Sequence, residues 1–289
     1  MNEFSILDTK IGNKYPPYII AELSGNHNGD LNKALKLIEE AYKAGANAIK
    51  LQTYTADTIT IKHKSLDFKI SSGIWEGKYL YELYQEAHTP WDWHEKIFEK
   101  AKDLGLDFFS SPFDNTAVDF LEKLNVPAYK VASFELLDLG LVEYIASKNK
   151  PLIISTGMAS KIEIQDALMV CKKVNNHKIV LLHCVSGYPT PLEEINLRMI
   201  QDLNKEFNLP IGLSDHTMSE LVPVTAIGLG ACVIEKHFTL SRKDGGPDSA
   251  FSLEPKEFKK LTKDCQNAWA ALGQGNFERS NSEKDNIKL

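Results

Sequence analysis

Cysteine is scarce and scattered. The chain has four in 289 residues, at Cys171, Cys184, Cys232 and Cys265. No pair stands at zinc-ligand or thiol-redox spacing, and a chain this long buries a full core without disulfides. Packed free thiols are the reading, with Cys184 and Cys232 inside apolar strands. Long apolar runs are missing too: none approaches the ~20 residues that span a bilayer, so no membrane partner is expected. The opening MNEFSILDTK lacks the apolar core of a secretory signal. A cytoplasmic location suits all three absences. Positive charge is also short. The formal net charge of −6 argues against nucleic acid or an anionic membrane as the main partner, but leaves room for a local basic pocket holding a small anion. No glycine-rich phosphate loop is present, so that pocket must be built from side chains. Low-complexity segments are absent.

What the chain does have is a rhythm. Eight short apolar runs, each ending in polar residues, follow one another: Tyr18–Leu23, Ala48–Gln52, Asp107–Pro112, Ala128–Ser133, Leu152–Thr156, Ile179–Cys184, Ile211–Asp215 and Cys232–Phe238. Most gaps between them hold a helical pattern, as in Leu31, Leu35, Ile38 and Ala41 behind a capping Asp30. Eight strand–helix units in a row predict an α/β fold, a (β/α)8 TIM barrel whose active site lies at the C-terminal mouth of the strands. Residues 1–16 form an N-terminal extension with a short hairpin, 17–273 the barrel domain, and 274–289 a polar exit linker. After the second strand comes the longest excursion, about 53–88, with Trp75, Tyr79, Tyr81 and Tyr84. A loop this long beside a barrel mouth is a candidate lid or substrate wall, or else an aromatic patch against a neighbour.

The strand ends carry the chemistry. His216 and His237 close adjacent strands about 4.8 Å apart. Two imidazoles with other positions open suit Mn²⁺ or another borderline divalent ion, with Glu22 joining directly or through water. The alternative is that each histidine only hydrogen-bonds within the barrel top. Lys50 and Lys130 each interrupt an apolar run, at a cost of several kcal/mol unless paired or solvated. An ion pair with Glu22 or Glu135 resolves this, and so does a bound anion. Ser133, Ser155 and Ser214 surround the same mouth and suit phosphate. Lys50 and Gln52, Ser214 and His216, and Glu235 and His237 are each two apart and share a strand face. Asp248, in Gly245–Ser249, projects a carboxylate over the site or serves as a turn residue. The segment Cys184–Pro189 reaches the mouth from the sixth strand.

At these residues the chain resembles the sialic acid synthase family, and its pseudaminic acid synthase branch most. The matching motifs are AELSGNHNG (21–29), KLQTY (50–54), FSSPFD (109–114), YKVASFE (129–135), STGM (155–158), GLSDHT (212–217), EKHFTL (235–240) and GGPDSAFS (245–252). The stretch Gly73–Trp93 and Ser186, where sialic synthases typically carry Asn, point to the pseudaminic branch. The resemblance implies metal-dependent condensation of phosphoenolpyruvate with an open-chain acylamino sugar, 2,4-diacetamido-2,4,6-trideoxy-altrose, to give pseudaminic acid and phosphate. It implies that His216 and His237 bind the metal, manganese first, with magnesium or cobalt as alternatives. Lys50, Lys130, Ser133, Ser155 and Ser214 would hold phosphoenolpyruvate. Glu135, Tyr188 and Asp248 would face the sugar with Gln52 nearby, and Glu22 would orient or deprotonate a water. A homodimer is implied as well, with a small C-terminal antifreeze-like domain expected to begin where this chain stops. Competing readings are a neuraminate or legionaminate synthase, an aldolase with Lys130 or Lys50 as Schiff-base nucleophile, and a non-catalytic sugar-acid-binding barrel.

Overall fold

A parallel strand needs apolar cover on both faces, and helices supply the outer one. The computed structural model describes residues 4–273 and 275–288. Two short strands, β1 (Phe4–Ile6) and β2 (Thr9–Ile11), precede eight others: β3 (Tyr18–Glu22), β4 (Ala48–Thr53), β5 (Asp107–Pro112), β6 (Tyr129–Val131), β7 (Leu152–Ser155), β8 (Ile179–Cys184), β9 (Ile211–Asp215) and β10 (Val233–His237). Strands β3 to β10 pair in parallel and in sequence, and β10 closes onto β3, so the sheet is the expected closed eight-stranded barrel.

Side chains alternate along each strand, and the alternation sorts the core into two layers. Ile49, Leu51, Phe108, Val131, Ile154, Leu213 and Ile234 pack outward beneath the helices. Tyr18, Ile20, Ala48, Phe109, Ala128, Ile153, Val180, Leu182 and Val233 fill the interior. Ile6 and Ile11 of the β1–β2 hairpin join that inner cluster, so the hairpin closes the barrel at its strand-start end. Gly212 also faces inward, where a Cβ would meet the Val233 carbonyl oxygen at 2.4 Å and Leu182 at 2.6 Å. Two residues further along each inward row the chemistry changes. Ile20 gives way to Glu22, Ala48 to Lys50, Ala128 to Lys130, Ile153 to Ser155, Gly212 to Ser214 and Val233 to Glu235. The lower barrel is apolar and the upper barrel polar, and burial of each large apolar side chain contributes about 1.5–3 kcal/mol toward holding those polar groups in place.

Helices fill the gaps with ordinary end chemistry. Asp30 caps the helix Leu31–Lys43 by accepting from the Asn32 and Lys33 amides. Pro255 opens the helix Pro255–Leu272, which ends at Gly273 with φ +60°. Beyond it lie two short helical turns, Asn281–Lys284 and Asp285–Lys288. Residues 1–3, 274 and 289, which fall in the expected extension and linker, lie outside the described residues. No helix among the described residues is long and apolar enough to cross a membrane.

The excursion after β4 turns back across the mouth. Its helices Ala56–Ile59 and Leu80–Ala87 flank a stretch in which Lys69 and Tyr79 form a β-bridge. Trp75 Nε1 donates to the Pro247 carbonyl at 2.7 Å, joining the excursion to the loop after β10. Trp91 Nε1 donates to the Tyr54 carbonyl at 3.2 Å, and His27 Nε2 meets Thr89 Oγ1 at 3.0 Å, which pins the return.

Candidate active site at the barrel mouth

The floor of the mouth is a buried charge cluster. Lys50 Nζ lies 2.6 Å from Glu22 Oε2, with the two side chains 4% and 0% exposed. Glu235 Oε1 sits 3.7 Å from Lys50 Nζ and 3.8 Å from Lys130 Nζ, and accepts from Ser214 Oγ at 3.1 Å. Lys130 Nζ donates to Ser155 Oγ at 2.6 Å, and Lys50 Nζ to Ser111 Oγ at 3.5 Å. Each charge thus has an opposite charge or a hydroxyl beside it, which a closed interior requires.

These neighbours drive the carboxyls apart. Burial pushes Glu22 above the usual carboxylate range, aided by Glu235 and only partly offset by Lys50. Burial would raise Glu235 too, but Lys130 and Lys50 hold it low. Burial likewise raises Glu135 and Asp248, and it lowers Lys130. Glu235 is therefore a standing anion, while Glu22 can hold or release a proton. Divergence of this kind separates acid–base groups from electrostatic ones.

Above the floor stand the histidines, with ring centroids 5.4 Å apart. His216 Nδ1 donates to the Val185 carbonyl at 3.0 Å, which orients the ring, and although burial alone would lower His216, the Cys184 thiol beside it raises it above the ordinary histidine range. His237 Nδ1 is buried without a hydrogen-bond partner, 4.0 Å from Asp248 Oδ2. Burial, with the charges around it, pushes His237 well below the ordinary histidine range, so its imidazole is neutral. A neutral ring with an orphaned buried nitrogen, facing a second oriented ring, fits a divalent cation. Among the described residues no group of three or more His, Cys, Asp or Glu is arranged to hold a metal. Glu22 does not extend the pair directly, because its carboxylate is taken up by Lys50 and by Gln52 Nε2 at 3.1 Å.

Beside His237 opens a cavity of about 490 Å³. Ser24, Gln52, Ser133, Glu135 and Asp248 belong to its polar lining. Ile59, Ile70, Trp75, Leu80 and Leu83 from the excursion, with Tyr54, Tyr84 and Phe113, belong to its apolar lining. Ser24 Oγ donates to Asp248, fixing that carboxylate at the rim. The Tyr188 ring lies tilted beside His216, with centroids 4.5 Å apart, and beside Trp75 at 5.7 Å. Ser133 and Ser186 flank Gly157, where a Cβ would approach their hydroxyls to 2.6 and 2.5 Å, so only glycine permits this convergence.

Every sequence candidate from Glu22 to Asp248 lies at this one mouth. Several mouth residues were not among the candidates. Glu235 is the central one, and its period-two spacing from His237 was the available signal. Cys184 is buried, as a packed thiol should be, yet its Sγ accepts from Ser133 Oγ at 3.5 Å and lies 4.0 Å from His216 Nδ1. Its place two residues beyond the inward Leu182 marks it. Of the four excursion aromatics only Trp75 and Tyr84 line the cavity. Tyr79 and Tyr81 lie instead under the ammonium groups of Lys64 and Lys62, each at 5.6 Å.

The model of the NeuB family matches residues 37–277. A pseudaminic acid synthase of Helicobacter pylori is 47% identical over 259 residues, 90% of this chain and 76% of that protein. An N,N'-diacetyllegionaminic acid synthase of Legionella pneumophila is 39% identical over 276 residues, 94% of this chain and 78% of the other. Among solved structures, the N-acetylneuraminic acid synthetase of Leptospira borgpetersenii, in complex with citrate, superimposes with a TM-score of 0.89 at 35% identity, covering 99% of this chain and 95% of that one.

Proposed function

This chain belongs to the NeuB family and is an enzyme, and from that premise we propose that it condenses phosphoenolpyruvate with 2,4-diacetamido-2,4,6-trideoxy-altrose to give pseudaminic acid and phosphate. The observation that carries the reading is the stacking of two sites in one mouth. A lysine–serine floor suited to a small anion lies beneath a cavity lined by both polar and apolar side chains. A sugar whose hydroxyls are partly replaced by acetamido groups and a methyl group presents both kinds of surface, and a hydroxyl-rich sugar presents less of the apolar kind. The 47% identity to two pseudaminic acid synthases, against 39% for the legionaminic relative, favours the same substrate.

Lys50 and Lys130, with Ser133, Ser155 and Ser214, bind phosphoenolpyruvate. With Glu22 protonated, the floor sets two lysines against Glu235 alone, leaving net positive charge for the anion. His216 and His237 would hold a divalent ion, manganese by preference, and such an ion supplies Lewis-acid polarisation of a carbonyl. Gln52, Glu135, Tyr188, Ser186 and Asp248 orient the open-chain sugar with its aldehyde toward the floor. The methylene carbon of phosphoenolpyruvate forms a bond to the aldehyde carbon, whose oxygen takes up the proton that Glu22 carries. Positive character then develops at the enol carbon, and the nearby Glu235 carboxylate stabilises it. Water adds to that carbon while Glu22, ionised by the preceding step, accepts its proton. The carbon–oxygen bond to the phosphate breaks, the new hydroxyl passes its proton to the departing phosphate, phosphate leaves toward the lysines, and the ketone remains. The enzyme acts in the cytoplasm as a homodimer, a reading to which the exposed apolar rim residues Phe134, Leu137 and Met158 lend support.

The test is phosphate release from phosphoenolpyruvate, with and without Mn²⁺, on the diacetamido-trideoxy sugar and on N-acetylmannosamine in parallel. Metal-dependent release with the first sugar alone is expected. Release with N-acetylmannosamine alone moves the chain to the sialic branch. Release with neither, under conditions where phosphoenolpyruvate binds, supports a binding barrel instead.

A further inference from the structure

Behind the two histidines, on the outward face of the same strands, lies a second ion pair that the chemistry above does not use. Lys236 Nζ is 2.7 Å from Asp215 Oδ2, and both side chains are 0% exposed. Lys236 also donates to the Thr217 carbonyl, and the Thr217 amide donates to Asp215 Oδ1 at 2.9 Å. The pair is shut off from solvent, and the Glu257 carboxylate is the further charge that acts on Lys236. A buried pair in such a place is no better for stability than apolar residues of the same shape, so its presence calls for another account.

The register supplies one. Asp215 and Lys236 are direct neighbours across β9 and β10, and Ser214 and Glu235 are the neighbours one step before. Asp215 separates Ser214 from His216, and Lys236 separates Glu235 from His237. By alternation the four flanking side chains turn into the mouth while the pair turns out. The Thr217 bonds extend the grip past the end of β9, so the backbone that carries His216 is held from both sides. We infer that the Asp215–Lys236 pair is a positioning device that sets the relative placement of the His216 and His237 imidazoles. It rests on the proposed reading only in treating those rings as metal ligands. Outer-sphere supports of metal ligands typically change affinity 10–100-fold when removed.

The experiment uses the full chain and the double variant Asp215→Leu with Lys236→Met, which keeps volume and removes both charges. Three quantities are measured: melting temperature, Mn²⁺ affinity of the metal-stripped protein by electron paramagnetic resonance, and imidazole ¹⁵N resonances of His216 and His237 without metal. The expected result is a melting temperature equal to or above wild type, 10–100-fold weaker Mn²⁺ binding, and altered or averaged imidazole signals. A merely structural pair would move the melting temperature and leave the other two alone. Wild-type Mn²⁺ affinity together with wild-type imidazole signals overturns the inference. If the double variant does not fold, Asp215→Asn is read by the same criteria, because it keeps the shape and removes the carboxylate charge. If the wild type itself binds no Mn²⁺, the proposed function fails on that point, and the imidazole comparison alone decides the positioning role.

Discussion

Replacing Glu235 with Gln removes the negative charge that the two floor lysines share. At an effective dielectric near 20, opposite unit charges at the 3.7 Å separating Glu235 from Lys50 attract by about 4 kcal/mol. Lys130, at 3.8 Å, feels nearly the same. The full sum is not lost, because Glu22 can ionise further and take over part of the compensation. Breaking one partner out of a buried ionic group typically costs about 3–5 kcal/mol. For a domain of this size each kcal/mol moves the melting temperature by about 2–4 °C, so Glu235→Gln should melt on the order of 10 °C below wild type. An added anion should restore much of this by taking the place of the missing carboxylate. Inorganic phosphate or phosphoenolpyruvate is therefore expected to raise the variant's melting temperature by clearly more than it raises the wild type's. Thermal melts by circular dichroism, with and without each anion, make the comparison. A variant that melts within a degree of wild type would refute the charge accounting. Equal anion shifts in the two proteins would show that the lysines are not where the anion binds.

Glu22→Gln keeps the contact with Gln52 but cannot accept a proton, and turnover should fall about 10²–10⁴-fold with phosphoenolpyruvate binding retained. Turnover near wild type would remove Glu22 from the role of base. Trp75→Ala opens the apolar lining and deletes the bond to the Pro247 carbonyl. The sugar KM should rise about tenfold, and the phosphoenolpyruvate KM should stay within about twofold; equal rises in both would place Trp75 in general stability. His27 and His94 are buried, and burial holds each at about 4, against about 6.5 in an unfolded chain. Between these values the unfolded state binds the extra protons, so stability falls as pH drops from about 6.5 to about 4, by about 3 kcal/mol for each histidine. Denaturant melts between pH 7 and pH 4 should show this slope, and His94→Gln should remove about half of it; an unchanged slope would assign it to other groups.

The barrel was legible because its signal is repeated. Each run, from Tyr18–Leu23 to Cys232–Phe238, pairs an apolar body with a polar end, and eight such runs leave few folds open. The candidate residues were legible for the same reason, since a lysine inside an apolar strand, such as Lys50 or Lys130, needs a partner wherever the strand is placed. The excursion was legible as a wall of the site, but not in how it is seated. It has no periodicity, and the bond that seats it, from Trp75 to Pro247, joins residues 172 apart. Contacts at that separation depend on closure of the whole ring, which no local window contains.

Glu235 and Lys236 show where local reading ends and register begins. They are adjacent, oppositely charged and both buried, and composition does not say which one belongs to the mouth. Alternation from His237 decides it: Glu235 faces inward to two lysines, and Lys236 faces outward to Asp215. The strand thus carries two ionic systems on its two sides, separated by the backbone alone. Exchanging the two residues preserves composition and net charge but places a third lysine on the floor and a second carboxylate beside Asp215. The exchanged chain should fail to fold at neutral pH, whereas Glu235→Gln should only melt earlier, because repulsion on both faces has no compensating partner. Expression of the exchanged chain as a folded, monodisperse protein would show that the two faces tolerate charge more freely than this geometry allows.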